Sequence, residues 1–471
     1  MNELINAFIK LPKNLYFIGI GGTGMSALAF IAHEMGYRVS GSDIVENEAI
    51  NRLRKKGIQV FIGHSRERIS QQEAIVVSSA IPSNNEELAE ARRLNLPVIH
   101  RGNLLAQLCS KKKSIAIAGT HGKTTTTSMI SMVLEWANLD PTVVIGGELE
   151  DIGGNAKSGS GDFFVTETDE SDGSFLYLKP FCGIVTNIED DHIDHYGSFE
   201  KTRQAFVSFL KRVELDGFAI VCGDRPEIQE ILTKEKFNTK ILKYGLANSN
   251  VDFQAQILER KSHGFRFQVK TPSGTVGEFV LNIPGLHNVS NSVACIATTL
   301  ELGIDQKFIK EALASFKGVK RRFQKVGEID GATILDDYAH HPTEMEAVIK
   351  TAMEQTRGKV VVVFQPHRFT RTKRLYKRMA QVLQNTHQVV LLPIYSAGED
   401  PIEGISSELI LKELLEAGYS KVQLIEDFQE ATEYCMKIIE PGDILITMGA
   451  GDVWKVAFAI CKESGKMLLE N

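Results

Sequence analysis

The sequence predicts an α/β protein of three consecutive domains. Three observations carry that reading. The chain has 471 residues, which at roughly 150 per domain suggests three domains. Short apolar runs alternate with helical patterns throughout, which implies parallel sheets with helices on their faces. The alternation also restarts twice, placing boundaries at 1–110, 111–316 and 317–471.

In the first block the apolar run Leu15 to Ile20 reads as a buried strand. The glycine-rich Gly21-Gly22-Thr23-Gly24 follows, then a helical stretch from Met25 to Met35 and a strand from Arg38 to Ser42. Apolar runs at Ala74 to Val77 and Pro97 to Ile99 continue the pattern, and Ser110 to Lys113 is a polar connection. The second block opens with the strand Ser114 to Ala118, a loop to Lys123 and a helix to Trp136. Strands follow at Phe163 to Val165, Cys182 to Val185 and Phe218 to Val221. From Val251 to Val280 apolar and polar residues alternate around the turn Thr271-Pro272-Ser273-Gly274, the mark of an antiparallel ribbon. Helical patterns at His287 to Leu302 and Gln306 to Phe316 close the block. The third block carries strand-like runs at Gln324 to Ile329, Ala332 to Leu335, Lys359 to Phe364, Gln388 to Pro393, Val422 to Ile425 and Ile444 to Thr447, with helices between.

Composition narrows the function. At 43% hydrophobic and 24% charged the chain is ordinary globular protein, and disorder and collagen-like repeats are excluded. Lys plus Arg number 53 against 59 for Asp plus Glu, a net charge of −6, which argues against a nucleic-acid binder. The six cysteines form no CxxC pair, so a clustered zinc site is not expected and a reducing compartment is. The N-terminal MNELINAFIKLPKN lacks a basic segment followed by a cleavage site, and no apolar run reaches a membrane span. A cytoplasmic protein without a membrane partner is the expectation.

Several motifs carry chemistry. Gly19-Ile20-Gly21-Gly22-Thr23-Gly24 follows a strand and opens a helix, and Asp43 ends the next strand. Glycines there let backbone N–H groups approach a diphosphate, and the acid can accept from ribose hydroxyls. This suggests a nucleotide diphosphate site without saying which nucleotide. Gly119-Thr120-His121-Gly122-Lys123-Thr124-Thr125 has the same strand–loop–helix setting. Lys123 suits β- and γ-phosphates and the Thr124 hydroxyl a magnesium ion, although Ile117 stands where the usual phosphate loop has its first glycine.

Glu167, Asp169, Glu170 and Asp172 follow the strand Phe163 to Val165. Strand-end carboxylates face the ligand crevice of an α/β sheet, and magnesium often uses one or two of them. The alternative is a solvated acidic loop. His192, in Thr186-Asn187-Ile188-Glu189-Asp190-Asp191-His192, is either a metal ligand or a hydrogen-bond partner. Asn288 and Asn291 begin a helix, where their amides could meet adenine or phosphate or simply cap it. In the third block, Lys320-Arg321-Arg322 could neutralise phosphates. Asp336 to Glu344 and Gln365 to Arg371 read as orienting and substrate-contact segments rather than a metal centre.

In combination and in this order, GIGGTGMS, GTHGKTTTT, TETDESDGSF, TNIEDDHIDHYG, PGLHNVSN, KRRF, DDYAHHPTE, QPHRFTRT and YSAGEDPI resemble the Mur ligase family across nearly the whole chain. The resemblance implies an N-terminal Rossmann-like domain for a UDP-sugar, a central P-loop ATPase and a C-terminal Rossmann-like domain serving ATP and the amino acid. It implies ATP-dependent joining of L-alanine to the lactyl carboxylate of UDP-N-acetylmuramate, with Mg2+, in a monomer or weak dimer. Lys123, Glu167 and His192 would be catalytic, with Thr124, Glu167 and His192 at the metal. Gly119, Thr120, His121, Gly122, Thr125, Asn288, Asn291, Arg322 and Asp336 would join Lys123 and Thr124 around ATP. Gly21, Gly22, Thr23, Gly24 and Asp43 would hold the UDP part. Tyr338, His367, Arg368 and Arg371 would take the alanine end. Where many relatives carry a carbamylated lysine, counting on from His192, this chain has Phe206. The rival readings are a ligase for a tripeptide on the same sugar nucleotide, an NAD-dependent oxidoreductase built on GIGGTG and Asp43, and a nucleotide-sensing module without catalysis.

Overall fold

The computed structural model describes residues 10–149, 152–191, 193–261 and 263–463. Residues 1–9, which carry most of the N-terminal stretch examined for a leader, lie outside these, as does His192. Among the described residues the strands form three sheets, each in its own stretch of chain. The chain divides into two compact units, residues 1–317 and 318–471, and the first two sheets share the first unit.

The first sheet holds β1 (Asn14–Ile18), β2 (Arg38–Asp43), β3 (Gln59–Ile62), β4 (Ala74–Val77) and β5 (Val98–His100) in the order 3-2-1-4-5. All neighbours run parallel. The central strand β1 is apolar and buried from Leu15 to Ile18, as a strand covered on both faces must be. The strand order reverses between β1 and β4, and ligands of open α/β sheets bind at such a reversal, outside the strands' carboxyl ends. The glycine loop after β1 and the turn after β4 both lie there.

The second sheet holds β6 (Lys113–Ala118), β7 (Thr142–Leu149), β8 (Gly154–Lys157), β9 (Phe163–Glu167), β10 (Cys182–Val185), β11 (Phe218–Cys222), β12 (Lys240–Gly245), β13 (Phe253–Lys261), β14 (Gly264–Thr271) and β15 (Gly274–Leu281). Its order is 15-14-13-12-11-10-6-9-7-8, so β6 sits between β10 and β9. The alternating segment is the antiparallel run β13–β15. The helix Lys123–Trp136 leaves β6 and packs against the helix Leu286–Glu301.

In the second unit β16 (Gln324–Ile329), β17 (Ala332–Asp337), β18 (Val360–Phe364), β19 (Gln388–Leu391), β20 (Val422–Leu424) and β21 (Ile444–Met448) take the order 16-17-21-18-19-20. Only the edge strand β16 runs antiparallel. No described helix is long and apolar enough to cross a membrane, and all six cysteines are buried.

Candidate active site

The Gly119–Lys123 loop leaves the buried strand β6 and is clamped from β10. The Thr186 N–H donates to the Ala118 carbonyl at 3.1 Å, and the Thr186 hydroxyl to the His121 carbonyl at 2.6 Å. Asn187 accepts from the His121 N–H at 2.9 Å and donates back to its carbonyl at 2.9 Å. Gly119 has φ +134° and Gly122 has φ +82°, regions an L-residue rarely enters. A Cβ on Gly122 would also stand 2.6 Å from Asn291 Oδ1. The helix Leu286–Glu301 thereby brings buried Asn291 against the loop, and Asn291 Nδ2 donates to buried Asn288 at 3.4 Å.

Lys123 folds back over this loop. Its ammonium donates to the Gly119 carbonyl at 2.5 Å and to Glu170 Oε1 at 2.7 Å. Burial works against the charge, but Glu170, Glu167 and Asp169 together hold the lysine above its ordinary value. Burial pushes Glu170 up to about 7 against the pull of Lys123. A buried ammonium beside a phosphate-loop helix is a fixed positive charge waiting for an anion.

Glu167 ends β9 opposite Ile117 of β6, two residues before Gly119. Its Oε1 lies over Gly146, where a Cβ would come within 1.8 Å. Its Oε2 is buried with no hydrogen-bond partner among the described residues. Such an oxygen is costly unless a ligand takes it, and a hard divalent cation prefers oxygen ligands. Thr124, buried at the first turn of the helix, supplies a hydroxyl of the right chemistry. The residues present therefore fit a magnesium ion. Phe206 is fully buried and packs edge-on against Phe175, a hydrocarbon setting rather than a ligand position.

The Gly19–Gly24 loop is built differently. Gly19 and Ile20 donate to the Ser42 carbonyl at 2.8 and 3.0 Å. Gly21 donates to Asp43 Oδ2 at 2.8 Å, and Asp43 Oδ1 accepts from the Ile44 N–H at 2.8 Å. The Asn47 side chain donates to the Gly21 carbonyl at 3.2 Å. Asp43 thus shapes its own loop and turn, and no lysine stands on that loop. The helix Thr23–Glu34 opens at its end.

In the second unit Asp336 is fully buried. It accepts from Arg321 Nε at 3.0 Å and from the Thr447 hydroxyl at 2.7 Å, and burial raises its carboxyl. Arg322 instead lies 3.7 Å from Glu344 and over the Tyr338 ring. The rings of Tyr338, His340, His367 and Tyr395 follow one another at 5.6, 5.5 and 5.6 Å. Arg371, buried, points Nη1 to His367 Nδ1 at 3.1 Å. Tyr338, His367 and Arg371 are thus brought together, whereas Arg368 is exposed at the helix start with φ +71°.

The Mur ligase middle-domain model matches residues 117–299, the Mur ligase family catalytic-domain model 14–113, and the Mur ligase glutamate-ligase-domain model 321–451. A UDP-N-acetylmuramate–L-alanine ligase of Dictyoglomus turgidum is 46% identical over 456 residues, covering 96% of this chain and 97% of its own. The chain belongs to the Mur ligase family. A second ligase of that name, from Desulforamulus reducens, is 44% identical over 452 residues, covering 96% of this chain and 97% of its own. The crystal structure of the UDP-N-acetylmuramate-alanine ligase of Thermotoga maritima superposes with a TM-score of 0.81 at 29% identity, over 96% of this chain and 98% of that one.

Within this Mur ligase, sequence reasoning passed over residues that only folding reveals. Glu170 pairs with Lys123. Arg321 holds Asp336. Tyr395 stacks on His367 at an interplanar angle of 15°. The tyrosine sits in the YSAGEDPI motif, so its motif was visible but its partner was not.

Proposed function

We propose that this chain joins L-alanine to the lactyl carboxylate of UDP-N-acetylmuramate, using ATP. Two full-length relatives above 40% identity carry that activity in their names. The observation that carries the chemistry is Lys123. It is buried, charged and held at 2.7 Å by Glu170 over a phosphate-type loop, beside the unpartnered Glu167 oxygen.

A carboxylate is a poor electrophile. The lactyl oxygen attacks the γ-phosphorus, the bond to ADP breaks, and an acyl phosphate forms. The alanine amine then attacks the acyl carbon, and the tetrahedral intermediate expels phosphate while the nitrogen sheds its proton. Lys123 would balance charge on the transferring phosphoryl group, and the loop N–H groups of Gly119 to Thr125 would orient it. Glu167, Thr124 and His192 would hold magnesium, which supplies Lewis-acid charge neutralisation. Asn288 and Asn291 would contact ATP, with Arg322 and Asp336 serving it from the second unit. Gly21, Gly22, Thr23, Gly24 and Asp43 would bind the UDP-sugar. Tyr338, His367, Arg368 and Arg371 would take alanine, Arg371 pairing with its carboxylate. The domain limits 1–110, 111–316 and 317–471 would divide these three tasks, in a cytoplasmic monomer or weak dimer.

The test is phosphate release with ATP and UDP-N-acetylmuramate while the amino acid is varied among alanine, glycine, serine and a tripeptide. Alanine-dependent release is expected. Release with the tripeptide alone would reassign the chain to the rival ligase reading.

A further inference from the structure

Arg101 belongs to no motif assigned above. It follows β5 and opens the helix Arg101–Cys109, at the same sheet edge as the Gly19–Gly24 loop. A Cβ on Gly24 would stand 3.4 Å from its Nη1. Its Nη2 crosses to the other sheet, where it donates to Asp169 Oδ2 and, at 3.2 Å, to Asp172 Oδ2. The Ser79 hydroxyl, from the turn after β4, donates to the same Asp172 oxygen at 2.6 Å, and His100 Nε2 lies 3.5 Å from it. Gly102 packs on Ser174, leaving no room for a Cβ, which would come within 2.4 Å. Asp169 and Asp172 are therefore held by the first sheet, while Glu170 between them holds Lys123.

We propose that Arg101 is a positioning residue that ties the first glycine loop to the Lys123 loop, so that the order a ligand imposes on one loop is passed to the other. The proposal rests on assigning the first loop to the sugar nucleotide and the second to ATP. Three features carry it. The guanidinium is 23% exposed and Asp172 only 14%, so that pair is partly shielded from solvent. It contacts the acidic segment on both sides of Glu170. It does so from the residue packed on Gly24. Removing Arg101 would leave two carboxylates facing Glu170 without their counter-charge, free to draw on Lys123.

The experiment is calorimetric titration of the full chain with UDP-N-acetylmuramate, with and without a non-hydrolysable ATP analogue, and the reverse. In the wild type each ligand should tighten the other at least about fivefold, the lower end of ordinary coupling. In Arg101→Ala that coupling should vanish, and each affinity should fall on the order of tenfold, the loss expected for a charge-assisted contact. Arg101→Lys should restore part of the coupling. Asp172→Asn, which keeps the shape of the acidic segment, should reduce coupling in the same direction and keeps the proposal open to test if Arg101→Ala does not fold. A merely structural arginine would lower the melting temperature and leave the coupling factor intact, and that result would overturn the proposal. If the wild type binds both ligands and Arg101→Ala retains full coupling, the positioning role alone fails. If the wild type binds neither, the loop assignments fail and the proposal falls with them.

Discussion

The two glycine loops of the first unit share a plan and differ in charge. Each leaves the carboxyl end of a central buried strand and enters a helix. In the first loop an acid, Asp43, receives the Gly21 N–H, and the loop is braced by Ser42 and Asn47. In the second a cation, Lys123, lies across the loop and is itself held by a buried acid, Glu170. On the proposed function the first would bind a group that does not react. Backbone dipoles and a helix start would suffice for that, with Asp43 shaping the loop. The second would stabilise charge that moves during phosphoryl transfer, which a preorganised ammonium does where neutral donors do less. The same supersecondary unit thus carries a cation in one loop and none in the other according to one residue at the helix start.

The comparison yields five outcomes, from the largest expected effect to the smallest. Lys123→Ala should lower phosphate release by on the order of 10²–10³ with the fold retained by circular dichroism. Near wild-type release at saturating ATP would erase the difference between the loops. His367→Ala and Arg371→Ala, in the second unit and on neither loop, should raise the Michaelis constant for L-alanine. The loss should correspond to roughly 1.5–3 kcal/mol, with smaller effects on the sugar nucleotide. Unchanged alanine kinetics in both variants would move the amine site elsewhere.

Asp43→Ala should weaken UDP-N-acetylmuramate by roughly 1–3 kcal/mol in separate titrations and leave ATP nearly untouched, since it frees the Gly21 N–H and relaxes only the first loop. A loss confined to ATP would invert the assignment, and tight NAD binding by the wild type would revive the oxidoreductase reading. Gly122→Ala should weaken ATP, because Gly122 has φ +82° and its Cβ would press on Asn291. Gly57→Ala is the matched control. With φ +83° and nothing within 4 Å, it should cost only the backbone strain of about 1–2 kcal/mol in stability, with ATP binding unchanged.

The last outcome is one of pH. Burial pushes Asp337 up to about 7, against the N–H bonds it accepts from Phe323 and Ala339. The folded state then holds a proton that the unfolded chain releases near an ordinary aspartate value of about 4. Stability from this group is full below that value and is lost as pH rises towards 7. Melting temperatures from pH 4 to 8 should fall more steeply in the wild type than in Asp337→Asn. Equal slopes would show that Asp337 titrates normally.

Much of the fold was legible because buried strands advertise themselves. Gln324–Ile329 and Cys182–Val185 match their expected limits, and the alternation after Val251 became β13–β15. The strands β3, β7, β8 and β12 were not anticipated. Gly154–Lys157 is polar and half-buried throughout, and Gln59–Ile62 has a single fully covered residue, so neither shows the unbroken apolar run of a central strand.

By itself the sequence determined what depends on neighbours along the chain. Apolar runs make strands, glycines permit the two loops, and a lysine at a helix start prepares for phosphate. Their serial order was enough to reveal the family. Tertiary structure decided which charges meet. Arg101 finds Asp169 68 residues away, Lys123 finds Glu170 47 away, and Asp336 takes Arg321 rather than Arg322. The physical reason is that such pairs depend on sheet order. In the second sheet β6 lies between β10 and β9, two strands that follow it at long and unequal distances in sequence. No local periodicity encodes that order. Only packing that buries all three strands together brings the Asp169–Asp172 segment, Lys123 and Asn187 to one edge.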